Sequence, residues 1–220
     1  MAKRPLKLET IRKIYLGAEA EISLCDWLGF RVVSKRRRSK GYRVKELDRK
    51  IIATRTAHEA SMLSKVRSFG IPTPFVLHVD PVGGLIVMQY IEGSTLSELA
   101  SRERLEKLKP LFHRVGNHLG VLHRNKIAHG DPTTSNMIEM KGEVFMVDFG
   151  LASYASGIEQ MGEDLYVLQM ALKSAHHALS RELFDSVLSG YAEKLGPSFP
   201  SVLKRLEEIS KRGRYVERIS

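Results

Sequence analysis

The stretch that most restricts this chain runs His129-Gly130-Asp131-Pro132-Thr133-Thr134-Ser135-Asn136 and continues to Asp148-Phe149-Gly150. Asp131, Asn136 and Asp148 fall at spacings of five and twelve. Asn136-Met137-Ile138 and Val144-Phe145-Met146-Val147 read as two short strands. The turn Met140-Lys141-Gly142-Glu143 joins them, with Gly142 able to take a positive φ. Such a hairpin returns Asn136 and Asp148 to one end. Amide and carboxylate oxygens are hard donors that suit Mg²⁺, which takes a few protein groups and completes its shell with phosphate oxygens. Asp131, on the loop before the first strand, is then placed to orient or deprotonate a hydroxyl or a water.

The layout resembles the catalytic loop and metal motif of protein kinases, H-x-D-x-x-x-x-N followed by D-F-G. At 220 residues the chain suits one domain, or two small lobes that share a cleft. The resemblance implies the α+β class: a small two-lobed kinase-like fold. Residues 1–92 would form an N-lobe of antiparallel sheet plus one main helix. Residues 93–220 would form a minimal helical C-lobe with a basic tail.

The rest of the chain reads consistently with that layout. Residues 11–35 form a three-strand meander with turns near Gly17 and Gly29. Lys35 ends a strand of buried type, and Arg36 to Lys45 is a basic linker. From Leu47 to Phe69 apolar positions recur at three and four, and Glu59 lies on the inward stripe of that helix. A buried carboxylate needs a partner, and Lys35 is the candidate. Two strands follow, Phe75–Val79 and Leu85–Tyr90. Thr95 opens a helical region in which Leu105, Leu108, Phe112, Val115, Leu119 and Leu122 form a 3.6-period stripe. His113, His118 and His123 share that helix at spacings of five, which disperses them around the axis and excludes a zinc pair; they read as ordinary helix residues. Helices near Ile158–His177, Arg181–Lys194 and Ser201–Arg212 close the chain, with Asp164 positioned to brace the catalytic loop.

Composition bounds the surroundings. The one cysteine, Cys25, excludes an internal disulfide and a cysteine-based metal site. No apolar signal core follows the basic start, and no apolar run is long enough to span a bilayer, so no membrane partner and a cytoplasmic location are expected. The net charge of +10 favours an anionic partner such as nucleic acid. Two clusters carry it: Lys35-Arg36-Arg37-Arg38 with Lys40, Arg43 and Lys45, and Lys211-Arg212 with Arg214, Tyr215 and Arg218.

Several pieces together resemble one family, the small atypical kinase subunit of the KEOPS complex (PRPK-type). They are Gly17-Ala18-Glu19-Ala20 in place of a glycine-rich loop, Lys35 in a V-x-K-x-R context, Arg55-Thr56-Ala57-His58-Glu59-Ala60, His129-Gly130-Asp131, Thr133-Thr134-Ser135-Asn136, Asp148-Phe149-Gly150 and Glu163-Asp164-Leu165. The resemblance implies ATP and Mg²⁺ as cofactors, serine/threonine kinase activity and ATP hydrolysis. It also implies a complex with the sugar-kinase-like, tRNA-modifying subunit and other KEOPS subunits, contact with tRNA through a basic surface, and a role in forming threonylcarbamoyladenosine at tRNA position 37. Residue by residue, Asp131 and Lys35 would be catalytic. Asn136 and Asp148 would hold the metal. Lys35, Glu59, Gly17, Ala18, Gln89, Ile91, Asn136 and Asp148 would bind the nucleotide. Pro132 stands where the family has leucine and stiffens the loop through its fixed φ. The tail is less basic than the family's. Two other readings share part of the pattern. One is a small-molecule phosphotransferase of the aminoglycoside or choline type, for whose substrate lobe the 70 residues after Gly150 leave little room. The other is a non-catalytic nucleotide-sensing scaffold, which would not need Lys35, Glu59, Asp131, Asn136 and Asp148 together.

Overall fold

The computed structural model describes residues 7–155 and 157–216, with the backbone alone for 213–216. Its contacts divide into two compact units. The first holds the described residues up to Ser64 together with Pro74–Ile91; the second holds Lys65–Thr73 and the described residues from Glu92 onward.

The first unit is built on five antiparallel strands. β1 (Glu9–Leu16), β2 (Ala20–Trp27) and β3 (Phe30–Arg37) form the expected meander, and β4 (Val76–Asp80) and β5 (Leu85–Gln89) complete a sheet of order β1-β2-β3-β5-β4. The β2–β3 connection is a two-residue turn with positive φ at both Leu28 (57°) and Gly29 (85°), the geometry whose twist matches the flanking strands. Asp26 secures it by accepting the Gly29 N–H at 3.0 Å. Side chains alternate faces along a strand, so Lys35 and Arg37 share one face of β3. On the sheet, Cys25, Val32, Leu85 and Val87 form a buried cluster that Leu8 and Trp27 flank. The long helix α1 (Lys45–Ser68) supplies Glu59 to this unit.

The second unit is mainly helical. α2 (Leu96–Ala100) starts at Thr95 in a reciprocal capping box: the Thr95 hydroxyl accepts from the Glu98 N–H, and the Glu98 carboxylate accepts from the Thr95 N–H. α3 (Leu105–Arg124) buries Leu108, Phe112, Val115, Leu119 and Leu122 completely, as its periodicity predicts, while Leu105 at the start of the same stripe is only partly buried. Each such side chain contributes about 1.5–3 kcal/mol of transfer free energy. β6 (Ser94–Thr95), β8 (Met137–Met140) and β9 (Glu143–Met146) form a small antiparallel sheet, and β7 (Ile127–Ala128) pairs with β10 (Ser153–Tyr154). Helices α4 (Ile158–Ala175), α5 (Ser180–Leu195) and α6 (Phe199–Val216) follow. α3 and α5 meet at glycines: a Cβ on Gly116 would strike the Val187 carbonyl, and one on Gly190 the His113 carbonyl. Among the described residues no helix is long and apolar enough to cross a membrane.

One element differs from the sequence reading. Asn136 lies not in a strand but in a 3₁₀ turn, Thr134–Asn136. Its side chain hydrogen-bonds back to Asp131, an alternative to the ladder that short polar side chains favour. Strand pairing starts one residue later, at Met137.

Candidate active site

In the second unit the site grows from the strand pair β7–β10, which brackets the loop from His129 to Asn136. Gly130 has φ 83°, and a Cβ there would strike the Leu151 carbonyl, so only glycine fits at this bend. The Thr133 N–H donates to the Asp131 carbonyl at 2.8 Å, closing a three-residue turn around Pro132. The fixed φ of proline suits that turn. Asn136 then locks the loop. Its Nδ2 donates to the Asp131 carbonyl at 2.9 Å and to Asp131 Oδ2 at 3.0 Å.

The hairpin β8–β9 turns at Lys141 (φ 54°) and Gly142 (φ 82°), and Glu139 accepts the Gly142 N–H at 2.7 Å. Past its far end, Val147 N–H donates to the Asn136 carbonyl at 2.9 Å. That bond places Asp148 next in line beside Asn136, as their spacing predicts. Asp148 has φ 59°, a left-handed conformation that costs a non-glycine residue about 1–3 kcal/mol and is typical of functional sites. Its Oδ1 accepts the Gly150 N–H at 3.3 Å.

Beneath the loop lies a buried polar network. Asp164 on α4 accepts the His129 N–H at 2.6 Å on Oδ2, the Gly130 N–H at 2.8 Å on Oδ1, and His123 Nε2–H at 3.0 Å on Oδ2. Burial pushes this carboxyl up, but the hydrogen bonds from His123 and the His129 amide outweigh it and hold it below the ordinary range. Burial raises the Tyr191 phenol, so its O–H stays protonated and donates to His123 Nδ1 at 2.7 Å. His129 packs against Phe149 with ring centroids 4.5 Å apart. Burial lowers its pKa against the pull of Asp164, Asp148 and Asp131. The ring is therefore neutral, and Nδ1 accepts the Asp131 N–H at 3.3 Å. Asp164 braces the loop as the sequence suggests. His123 and Tyr191 belong to the same brace, so His123 is not an ordinary helix residue.

In the first unit, Lys35 Nζ lies 2.7 Å from Glu59 Oε1, the pair expected from the sequence. A third partner was not foreseen: Arg37 Nη2 lies 2.5 Å from Glu59 Oε2. Both cations are 8% exposed and Glu59 is 1% exposed, so the trio is buried. The signal was available, since Arg37 stands two residues beyond Lys35 on the same strand face. Arg37 therefore leaves the exposed basic cluster. Arg43 is likewise engaged, by Asp48 at 3.3 Å. Gly17 N–H donates to the Ala20 carbonyl at 3.0 Å and closes the Gly17–Ala20 turn, which also carries Ala18. Gln89 ends β5, its N–H bonded to the Phe75 carbonyl at 2.8 Å, and Ile91 is buried two residues on. The nominated residues thus form two groups: Gly17, Ala18, Lys35, Glu59, Gln89 and Ile91 in the first unit, and Asp131, Asn136 and Asp148 in the second. Of the tail residues nominated for RNA contact, Arg214, Tyr215 and Arg218 lie outside the residues whose side chains are described.

A sheet with a buried lysine–glutamate pair, and a helical unit whose loop joins an aspartate to an asparagine beside Asp-Phe-Gly, are the working parts of a kinase-like protein. Comparison with known proteins narrows the class. The RIO domain matches residues 24–165. The KEOPS complex subunit Bud32 of Pyrococcus abyssi (strain GE5 / Orsay) is 39% identical over 94% of this chain and 98% of its own length. A probable serine/threonine-protein kinase BUD32 homolog of Archaeoglobus fulgidus is also 39% identical, over 94% of this chain and 98% of that protein. A probable bifunctional tRNA threonylcarbamoyladenosine biosynthesis protein of Methanothermobacter thermautotrophicus is 40% identical over 91% of this chain, which spans 36% of that longer relative. The chain belongs to the RIO-domain family and, within it, to the Bud32 family.

Proposed function

We propose that this protein is an ATP- and Mg²⁺-dependent atypical serine/threonine kinase and ATPase that acts as a KEOPS subunit in forming threonylcarbamoyladenosine on tRNA. The observation that carries the catalytic part is the Asn136–Asp131 hydrogen bond at 3.0 Å, at the end of the hairpin that also presents Asp148. Phosphoryl transfer asks little covalent chemistry of a protein; positioning and electrostatics supply most of the rate. Asp131 would orient the incoming hydroxyl or water, with one oxygen held by Asn136. Because the Asn136 amide nitrogen faces Asp131, its oxygen turns the other way. With the Asp148 carboxylate it offers two hard oxygen donors, a set that fits Mg²⁺. Bound there, Mg²⁺ would neutralise charge on the phosphate oxygens. Lys35 would hold the α- and β-phosphates, kept extended by Glu59. For the adenine edge, the Gln89 N–H is already used, so its carbonyl would accept, and the Ile91 backbone would complete the contact. The Gly17–Ala18 segment would cover the phosphates with one amide fewer than a glycine-rich loop, because Gly17 N–H is bound to Ala20. A loose grip and slow turnover follow.

The names of the relatives support the place in the KEOPS complex and in tRNA modification. The exposed cations Arg36, Arg38 and Lys45 support a tRNA-facing surface whose contacts would go to phosphates and weaken with salt. Steady-state ATP turnover and ATP-analogue binding test the catalytic reading. Asp131→Asn should lower turnover by about 10² or more while leaving analogue affinity within about twofold. Asp148→Ala should remove turnover and the Mg²⁺-dependent part of analogue binding. Wild-type turnover in either variant would sink the assignment.

A further inference from the structure

The connector between β3 and α1 borders a small cavity that the chemistry above does not use. Arg37, Arg38, Lys40, Arg43 and Arg55 line it with a single carboxylate, Glu19, and two isoleucines of α1. All belong to the first unit. Neither Lys35, Gln89 nor Ile91 lines it. The cations are incompletely neutralised. Arg55 reaches the half-exposed Glu19 only at 3.4 Å, and Arg38 reaches only the Gly17 carbonyl, also at 3.4 Å. Arg37 places Nη2 on Glu59, but its Nε is buried with no acceptor among the described residues. Like charges gathered around one space repel unless an anion joins them. Guanidinium forks bind tetrahedral oxyanions through two parallel N–H donors. At about 20 Å³ the enclosed space takes about one water-sized group, such as one oxygen of an oxyanion whose other oxygens stay at the open rim, and has no room for a base or a sugar.

We propose that this cavity is an oxyanion site for a single phosphate group, separate from the nucleotide's own phosphates. Arg37 Nε–H, Arg38, Lys40 and Arg55 are its donors. Arg37 then serves two anions at once, Glu59 through Nη2 and the ligand through Nε. The phosphate could be free inorganic phosphate or a phosphodiester of RNA; the chemistry is shared, and the experiment separates the sources.

The test follows the Arg37 Nε–H resonance of the full chain by NMR, assigned by its loss in Arg37→Lys. Inorganic phosphate is titrated in at low chloride, then a short unstructured oligoribonucleotide, each with and without a saturating non-hydrolysable ATP analogue. The expected result is a saturable shift of that resonance whether or not the analogue is present. Arg38→Gln combined with Lys40→Gln, changes at one exposed and one partly exposed side chain, should weaken it at least tenfold with little change in the melting temperature. A response to inorganic phosphate supports the site with a free anion as ligand. A response to the oligonucleotide alone supports it with backbone phosphate as ligand. No saturable shift with either probe overturns the proposal. Full binding by the double variant, or one-for-one displacement of phosphate by the ATP analogue, overturns it too; the second result would make the cavity part of the nucleotide site.

Discussion

Asp164→Asn separates the loop brace from the nucleotide grip. In the native protein Asp164 receives three donors, two on Oδ2 at 2.6 and 3.0 Å and one on Oδ1 at 2.8 Å. Asparagine keeps one oxygen. Placed where Oδ2 was, it retains the His129 and His123 bonds without charge assistance and turns its NH₂ toward the Gly130 N–H, donor against donor. A buried amide left without an acceptor costs about 1–3 kcal/mol, and each bond that loses a charged partner loses roughly 1 kcal/mol. The sum, about 3–5 kcal/mol, leaves a chain of ordinary stability folded at 25 °C. At this size it should lower the melting temperature by about 10 °C. The functional effect should exceed the structural one. The His129 and Gly130 amides fix the start of the segment that carries Asp131, and a displacement of about 1 Å there is worth roughly 10²-fold in rate. Lys35 and Glu59 belong to the other unit, so ATP-analogue affinity should stay within about twofold. Urea unfolding gives the stability change. ATP turnover well below the variant's melting temperature, with analogue binding by fluorescence, gives the kinetic split. Full turnover in a destabilised variant would reduce Asp164 to a packing role. Unchanged stability would mean that the network carries no load at all.

Two further outcomes follow from buried groups. Lys35→Ala should disable ATP use yet destabilise modestly, because Arg37 still neutralises Glu59; adding Arg37→Ala should cost more than the two single losses together, about 3–5 kcal/mol for the carboxylate left alone, and additive losses in a double-mutant cycle would refute the shared-anion arrangement. Burial lowers His118 from 6.5 to about 4, so its contribution is complete above pH 6.5 and is lost as the pH falls toward 4: about 2 kcal/mol should be gone by pH 5, a drop that His118→Leu removes in urea unfolding at pH 7.5 and 5, whereas an equal pH drop in both proteins would show that the ring is not buried neutral.

Much of this molecule is legible in its residues because the decisive signals are local. The β8–β9 turn follows from Gly142, the α2 start from Thr95 and Glu98, and the α3 face from a clean apolar period. The Lys35–Glu59 pair spans 24 residues, but it too could be read, because a glutamate on an apolar stripe demands a cation. What escaped depends on charge balance at a distance. Glu59 has two oxygens and its burial leaves neither to water, so one lysine does not satisfy it; a second donor, Arg37, stands on the strand face that Lys35 shares, but Lys35 alone already answers the charge. His123 escaped for a related reason. Histidines five apart on a helix cannot share a zinc ion, but that spacing says nothing of a carboxylate 41 residues on or a tyrosine 68 residues on. The left-handed Asp148 is different again. No propensity selects it, since aspartate only tolerates that conformation. It is held from both sides, by the Val147–Asn136 bond before it and the Gly150 N–H after it. A strained residue fixed in this way next to Asn136 has its carboxylate positioned before any ligand arrives. That pre-positioning gives the local motif its meaning: the spacing of Asp131, Asn136 and Asp148 matters because the backbone between them leaves these side chains little freedom to be elsewhere.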